Sequence, residues 1–341
     1  MNGGIILLVP GVKEWFGYEA KVFMDLRNGL ENSLLNQNFN YFYGGIVSKK
    51  SIYEENISNL GERFIDNCIE FSFNGKDIGT IISPEGTFRV YDYLNRNNKI
   101  QNHSGQVFYS QEFLRNESEE DVGKGKTISF WQTGFEIYGK TEIESSLLVL
   151  KTLINCFKAI DFDGVYFRVS DKRILEGLII DLPLDKRREI YYLIDKCKED
   201  GTTFKNYYIK KGGDNKIAEK VGQLLDLDKN QQLTLDILDS FTNNSISHNG
   251  IEFLRQVLCE LKKEHKDENI KIIPFMGKSW DACDSLLFDA RLPEYEYAVA
   301  GGGNLFAFNK DKKIIKSGAG IGVTRLTEYI IEHKNLKSME L

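Results

Sequence analysis

Phe113-Leu114-Arg115-Asn116-Glu117, a charged glycine-containing loop from Ser118 to Lys126, and then Ile128-Ser129-Phe130-Trp131-Gln132-Thr133-Gly134-Phe135-Glu136 form the stretch that decides the fold. Its two arms read as strands, Gln106–Arg115 and Ser129–Tyr138, joined by the loop and laid on one sheet. Side chains two or four apart on a strand share a face. Arg115 therefore points with Glu117, and Phe130 with Gln132, Gly134 and Glu136. That face mixes fixed charges with one aromatic ring and a glycine gap, a surface that suits a nucleotide better than a core. The same pattern also fits an ordinary solvated sheet face laced with salt bridges.

Upstream, Asn74-Gly75 between apolar runs at Phe71–Phe73 and Gly79–Ile82 marks a two-residue hairpin turn. It leads to Ser83-Pro84-Glu85-Gly86-Thr87, where proline breaks the strand and glycine frees the backbone. Glu85 and Thr87 are thereby presented at a strand-to-helix corner, either as a helix cap or as holders of a substrate ammonium. Before them, Val22, Phe23, Leu26, Leu30 and Leu34 recur at helical spacing, which predicts a helix over Tyr18–Leu35. A strand-like run, Phe39 to Tyr43, follows it. Gly4 to Val9 reads as a strand and lacks the basic flank of a signal peptide. Thr141-Glu142-Ile143-Glu144 is a capping pattern that starts a helix to about Phe157.

From Lys172 to Lys266 the character changes to charge-alternating helical segments: Asp185–Lys198, Lys216–Leu225, Leu233–Phe241 and Ile251–His265. Strands resume at Ile270–Phe275, Ser285–Leu292, Glu296–Ala300 and Leu305–Phe308, and a last helix covers Gly322–His333. The pattern predicts an α+β fold with a mainly antiparallel sheet flanked by helices. Its two parts, 1–171 and 267–341, enclose a helical insertion at 172–266. The last part carries two glycine-rich runs, Val299-Ala300-Gly301-Gly302-Gly303-Asn304 and Gly318-Ala319-Gly320-Ile321-Gly322. Glycine between strands marks close backbone approach. The second run is no dinucleotide fingerprint, because Val323 stands where GxGxxG needs glycine and a βαβ context is absent. Arg325, in the first turn of the last helix, is placed to reach a triphosphate.

Composition narrows the function classes. With 44 basic and 50 acidic residues the net charge is −6, which argues against broad nonspecific nucleic-acid binding. No apolar run approaches the roughly 18–20 residues of a membrane span. Five scattered cysteines without a CxxC, and four histidines at no metal-site spacing, suggest reduced thiols in a cytoplasmic protein and no protein-held metal.

Taken in order, these segments resemble the catalytic core of class II aminoacyl-tRNA synthetases, and of histidyl-tRNA synthetase in particular. The resemblance implies the family's sheet and its ligands, ATP with Mg2+ and an amino acid. Glu85 and Thr87 match the segment that holds the amino group. Arg115 matches the α-phosphate arginine, Glu117 the acid near the adenine amino group, and Phe130 the ring that stacks on adenine. Gln132 and Glu136 match the pair contacting the bound amino acid, with Gly301 and Gly302 beside them. Arg325 matches the arginine on the ATP tail, and Lys126 stands where the family carries another phosphate-reading arginine.

The departures are concentrated in the segment that reads histidine. Lys278-Ser279-Trp280-Asp281-Ala282-Cys283 aligns there, with Lys278 replacing an arginine, Asp281 kept, and Ala282 and Cys283 replacing both tyrosines. The proline of the family's dimer motif is absent from Tyr43-Gly44-Gly45-Ile46-Val47, and no anticodon-binding domain is expected after the last helix. The resemblance implies ATP-dependent formation of an aminoacyl adenylate by a homodimer, passed to an unidentified RNA or carrier. Lys186-Arg187-Arg188 and Lys205 to Lys211 are the basic spots of the insertion. The alternative is the non-catalytic regulatory subunit of ATP phosphoribosyltransferase in histidine biosynthesis, a tail-less member of the same family.

Overall fold

Helix α1, Gly17–Asn36, buries Val22, Leu26, Leu30 and Leu34 along one stripe, the four-residue spacing of an amphipathic helix laid on a sheet. In this computed structural model, which describes residues 9–54, 62–99, 103–123, 125–229, 232–277, 283–305 and 316–333, the chain then enters β1, Asn40–Tyr41. The strand-like run expected over Phe39–Tyr43 is thus shorter. Next come β2 (Val47–Lys49), short helices α2 (Ser51–Glu54) and α3 (Glu62–Asp66), and the hairpin β3 (Ile69–Phe73) and β4 (Lys76–Ile82). Asn74 and Gly75 have φ of 50° and 73°, the two positive values that a twist-matched two-residue turn requires. These strands form a three-stranded antiparallel sheet, β2-β4-β3.

Helix α4 (Thr87–Arg96) leads to the long strand β5 (Gly105–Leu114), helix α5 (Glu119–Gly123), and β6 (Ser129–Tyr138). Helix α6, Glu142–Ala159, carries the expected capping box: Glu144 N donates to Thr141 Oγ1 and Thr141 N donates to Glu144 Oε2. After β7 (Tyr166–Asp171) come α7 (Lys172–Ile179), α8 (Leu184–Lys196), α9 (Gly201–Lys210), α10 (Asn215–Leu225), α11 (Leu235–Thr242) and α12 (Ser245–Glu264). The chain returns through β8 (Ile270–Ile272), β9 (Cys283–Arg291), β10 (Ala300–Leu305) and β11 (Lys316–Gly322) to helix α13, Val323–His333.

The main sheet has eight strands in the order β1-β5-β6-β11-β10-β9-β7-β8, parallel only at its two edge pairs and antiparallel through the middle. One face is the core: α1, α6 and α13 cover β6, β10 and β11, burying Phe135 and Ile137 of β6 and Ala319 and Ile321 of β11, while α7 packs against β9, whose Leu286 and Phe288 join the same core. The helices between β7 and β8 pack α12 against α6, α7 and β7, tying that module to the sheet. The opposite face is sparser in apolar groups. There α4 lies over β5 and β6, with Val90, Tyr91 and Leu94 packed among Val107, Tyr109 and Phe113 and against Phe130 and Tyr138.

Several expectations are corrected. Residues 296–299 form an irregular turn instead of a strand, held where Val299 N reaches Ala290 O; the strand itself runs Ala300–Leu305. Strand β7 and helices α7 and α9 did not stand out in the sequence. The strand proposed for 4–9 and the 306–308 part of Leu305–Phe308 fall at residues outside those described, Val9 excepted. All five cysteines are free thiols, Cys259 alone exposed. Among the described residues no helix is long and apolar enough to cross a membrane.

Candidate active site

Register places the candidate residues on the sparse face. Across β5 and β6, Phe113 faces Phe130, Gln111 faces Gln132, Tyr109 faces Gly134 and Val107 faces Glu136. Across β6 and β11, Gln132 faces Gly322, Gly134 faces Gly320 and Glu136 faces Gly318. Period-two alternation thus lines up Phe130, Gln132 and Glu136 as the sequence predicts. The alternation does not extend from Arg115 to Glu117, because β5 ends at Leu114 and both residues lie in the connection beyond it.

At the outer end, Arg115 donates its Nε to Pro84 O at 3.0 Å, fastening the Glu85 corner to the end of β5. Its guanidinium lies 4.7 Å from the centre of the Phe130 ring, a cation–π contact. Burial lowers its pKa, neighbouring Glu117 and Glu85 raise it, and the positive charge of Arg325 lowers it again. Arg325 donates to Ala298 O at 2.7 Å and stands over the Tyr297 ring at 5.0 Å. Among the described residues neither guanidinium makes an ion pair. Glu117 is engaged by Lys126 at 3.2 Å, and Lys126 also reaches Asp121 at 3.3 Å, so this lysine neutralises its own loop.

At the inner end, Glu85 is turned back as a helix cap, its carboxylate accepting the Phe88 N–H at 3.0 and 3.2 Å. Burial pushes Glu85 up to about 7 against those hydrogen bonds, and Glu136 adds like-charge repulsion. Thr87 donates to Glu136 Oε1 at 2.7 Å. The other oxygen of Glu136 faces Lys316 Nζ at 3.1 Å, and both side chains are 0% exposed. Neither of these two atoms completes an aligned hydrogen bond, so the pair stands on charge. Lys316 Nζ also lies 3.2 Å from the centre of the Tyr91 ring. Burial drives Lys316 down to about 8 and Glu136 upward, each opposed by its partner.

The glycine gap expected at Gly134 is filled. Tyr109 lies across it, also closing over Gly86, and a Cβ on either glycine would overlap the phenol. Gln132 donates to Tyr109 Oη at 3.3 Å, while its amide lies over Gly320 and Glu136 lies over Gly318. Of the two glycines expected in β10, Gly301 faces Gly320 on the site side. Gly302 is opposite buried Ala319, and a Cβ on it would crowd Phe288 Cζ at 2.6 Å; it belongs to the core face. Lys278 and Asp281 lie outside the described residues. Among those described, no group of histidine, cysteine, aspartate or glutamate side chains is arranged to hold a metal ion.

Sequence reasoning missed Lys316, Tyr91, Tyr109 and Tyr297. A signal existed for two of them: stepping back by two from Gly322, Gly320 and Gly318 reaches Lys316, and stepping back from Phe113 and Gln111 reaches Tyr109.

A family model described as Histidyl-tRNA synthetase matches residues 75–320. The histidine–tRNA ligase of Nanoarchaeum equitans is 27% identical over 217 residues, covering 62% of this chain and 48% of that protein. That of Mesomycoplasma hyopneumoniae is 24% identical with 100% of this chain and 77% of that protein covered. The chain therefore spans about half the length of the first relative and three quarters of the second. An ATP phosphoribosyltransferase regulatory subunit/histidyl-tRNA synthetase from Bacillus halodurans superposes with a TM-score of 0.77 at 10% identity, over 96% of this chain and 84% of that one. A histidine–tRNA ligase subunit from Alicyclobacillus acidocaldarius gives 0.73 at 14%, over 97% and 99%. Both structural likenesses establish the class II synthetase-like fold. The matched span runs from the β3–β4 turn into β11, through the strands that carry the site, and on it the chain belongs to the histidyl-tRNA synthetase family.

Proposed function

We propose that this protein is an aminoacyl-tRNA-synthetase-like ligase core that activates an amino acid with ATP, forming an aminoacyl adenylate. The observation that carries this reading is the outer end. Arg115 and Arg325 are half-buried, electrostatically opposed and without an ion pair among the described residues, and they flank Phe130 and Tyr297. Like charges held together out of bulk water are stabilised by an anion between them, and guanidinium is the group that matches phosphate oxygens. The half-buried Phe130 ring beside them is the aromatic surface that suits a purine.

In this reading Phe130 supports the base, Arg115 and Arg325 hold the phosphates, and the substrate carboxylate lies along β6. The carboxylate oxygen forms a bond to the α-phosphorus, the bond from that phosphorus to the bridging oxygen breaks, and pyrophosphate leaves. Positioning and charge stabilisation by the two arginines are the protein's contribution. Magnesium carried with ATP supplies further charge neutralisation. The adenylate's acceptor is an RNA or a carrier. The basic spots of the helical module are partly committed, Lys186 to Glu189 and Lys205 to Glu219. Exposed Phe16, Met24, Tyr41, Tyr43 and Ile46, on or beside α1, β1 and β2, are the apolar side chains that a homodimer contact through these elements would cover.

Hydroxylamine trapping tests the activation. With MgATP, hydroxylamine and each amino acid in turn, one acid yields hydroxamate, and Arg115→Ala or Arg325→Ala lowers the rate about 100- to 1000-fold. Absence of product with every acid, despite ATP binding, refutes activation. The closed Glu136–Lys316 pair at the inner end favours a second reading, a regulatory subunit of an ATP phosphoribosyltransferase, which predicts that outcome.

A further inference from the structure

Lys316 and Glu136 are diagonal neighbours across β11 and β6. Lys316 faces Tyr138, and Gly318, two residues on, faces Glu136. Because Gly318 has no side chain, the Glu136 carboxylate lies over it and meets the ammonium that comes along the strand. Around that ammonium the protein has assembled a carboxylate at 3.1 Å and a ring face at 3.2 Å. The Thr87 hydroxyl fixes the far oxygen of the carboxylate. A carboxylate together with an aromatic face is the chemistry that recognises an alkylammonium ion.

We infer that Lys316 is a tethered cation filling the side-chain end of the site, a specificity-determining residue that restricts the substrate to a small acid with no cationic or imidazole side chain. The inference rests on the reading of this face as an acid-activating site. Glu136 and Lys316 are fully buried, so a substrate base reaches Glu136 only by expelling Lys316. The surrounding volume is already committed: Tyr109 closes over Gly134 and Gly86, and Gln132 over Gly320. A basic side chain would need a second carboxylate, and Glu85 is spent on the Phe88 N–H.

Ligand binding by the full chain, without ATP, tests it. The probes are ethylammonium chloride and L-histidine, read by calorimetry and thermal shift on wild type, Lys316→Ala and Glu136→Gln/Lys316→Met. Wild type is expected to respond to neither. Lys316→Ala, with a vacated cavity beside Glu136, is expected to bind ethylammonium at millimolar concentration and histidine at least about tenfold more tightly than wild type. The double variant, neutral and refilled, responds to neither. A Lys316→Ala protein that folds only when ethylammonium is present supports the inference equally. Three results overturn it: a folded Lys316→Ala indifferent to ethylammonium, a Lys316→Ala that ethylammonium does not restore while the double variant folds, or histidine binding equally well to wild type. The binding readout is separate from activation. Wild type that forms histidine hydroxamate sinks this inference while establishing adenylation, and wild type that forms none with any acid leaves the binding outcomes to decide it.

Discussion

Replacing Lys316 by methionine keeps most of the side-chain volume, one heavy atom shorter, and removes the charge. The consequence follows from what the ammonium touches. Glu136 is 0% exposed and would keep one hydrogen bond, from Thr87 at 2.7 Å, for a carboxylate that burial already disfavours. Removing one partner of a buried pair leaves an uncompensated charge and costs about 3–5 kcal/mol. Replacing both partners by neutral groups of similar shape is close to neutral, because the desolvation of two ions is relieved with the attraction. Lys316→Met is therefore expected to lose about 3–5 kcal/mol at pH 8, and Glu136→Gln/Lys316→Met to lie within about 1.5 kcal/mol of wild type. The loss in Lys316→Met shrinks at pH 5, where the raised carboxyl of Glu136 can take up a proton and become neutral. Urea unfolding, followed by tryptophan fluorescence at both pH values, measures all of these. A loss below about 1 kcal/mol in the single variant, or a double variant as unstable as the two singles summed, refutes the description of an isolated buried pair.

Glu85 makes a separate pH prediction. Its pKa is raised from 4.5 to about 7, so the folded state holds the proton more readily than the unfolded state. That contribution is fully present below pH 4.5 and is lost as pH rises through 7, by at most about 3 kcal/mol. Glu85→Gln lacks the slope, and parallel stability–pH curves for variant and wild type between pH 5 and pH 8 would contradict the assignment. Gly134→Ala places a methyl group into the Tyr109 phenol and is expected to cost about 1–3 kcal/mol. Gly123→Ala, with open space around it, should change stability by less than about 0.5 kcal/mol; equal effects at the two sites would show that Tyr109 does not cross Gly134.

The parts of this architecture that the sequence made legible are those whose signal is local. Strand β6 announces itself by alternation, α1 by its four-residue stripe, α6 by the Thr141 box, and the β3–β4 turn by Asn74-Gly75, because each needs only neighbours within a turn or two. Strand β7 was hidden because Arg168, Ser170 and Asp171 break its apolar pattern and look like a charged helical surface. The Arg168 charge is met by long-range partners, Asp289 and Glu199, both distant in the chain. Helix α9, Gly201–Lys210, contains two threonines, two tyrosines and a starting glycine, and forms by packing Phe204 and Tyr208 rather than by propensity.

The site shows the same division. That Phe130, Gln132 and Glu136 share one face of β6 was legible from their spacing. How they are satisfied was not, since Lys316 reaches Glu136 from 180 residues away. The choice between cap and ligand for Glu85 depended on the orientation of α4, which the Ser83-Pro84-Glu85-Gly86-Thr87 run does not encode by itself.

The most direct test of the central claim is exchange of labelled pyrophosphate into ATP, with magnesium, against each amino acid. The account predicts exchange that depends on one small acid without a basic side chain, abolished by Arg115→Ala and by Arg325→Ala. Exchange with no acid at all, or exchange that survives both substitutions, would contradict it.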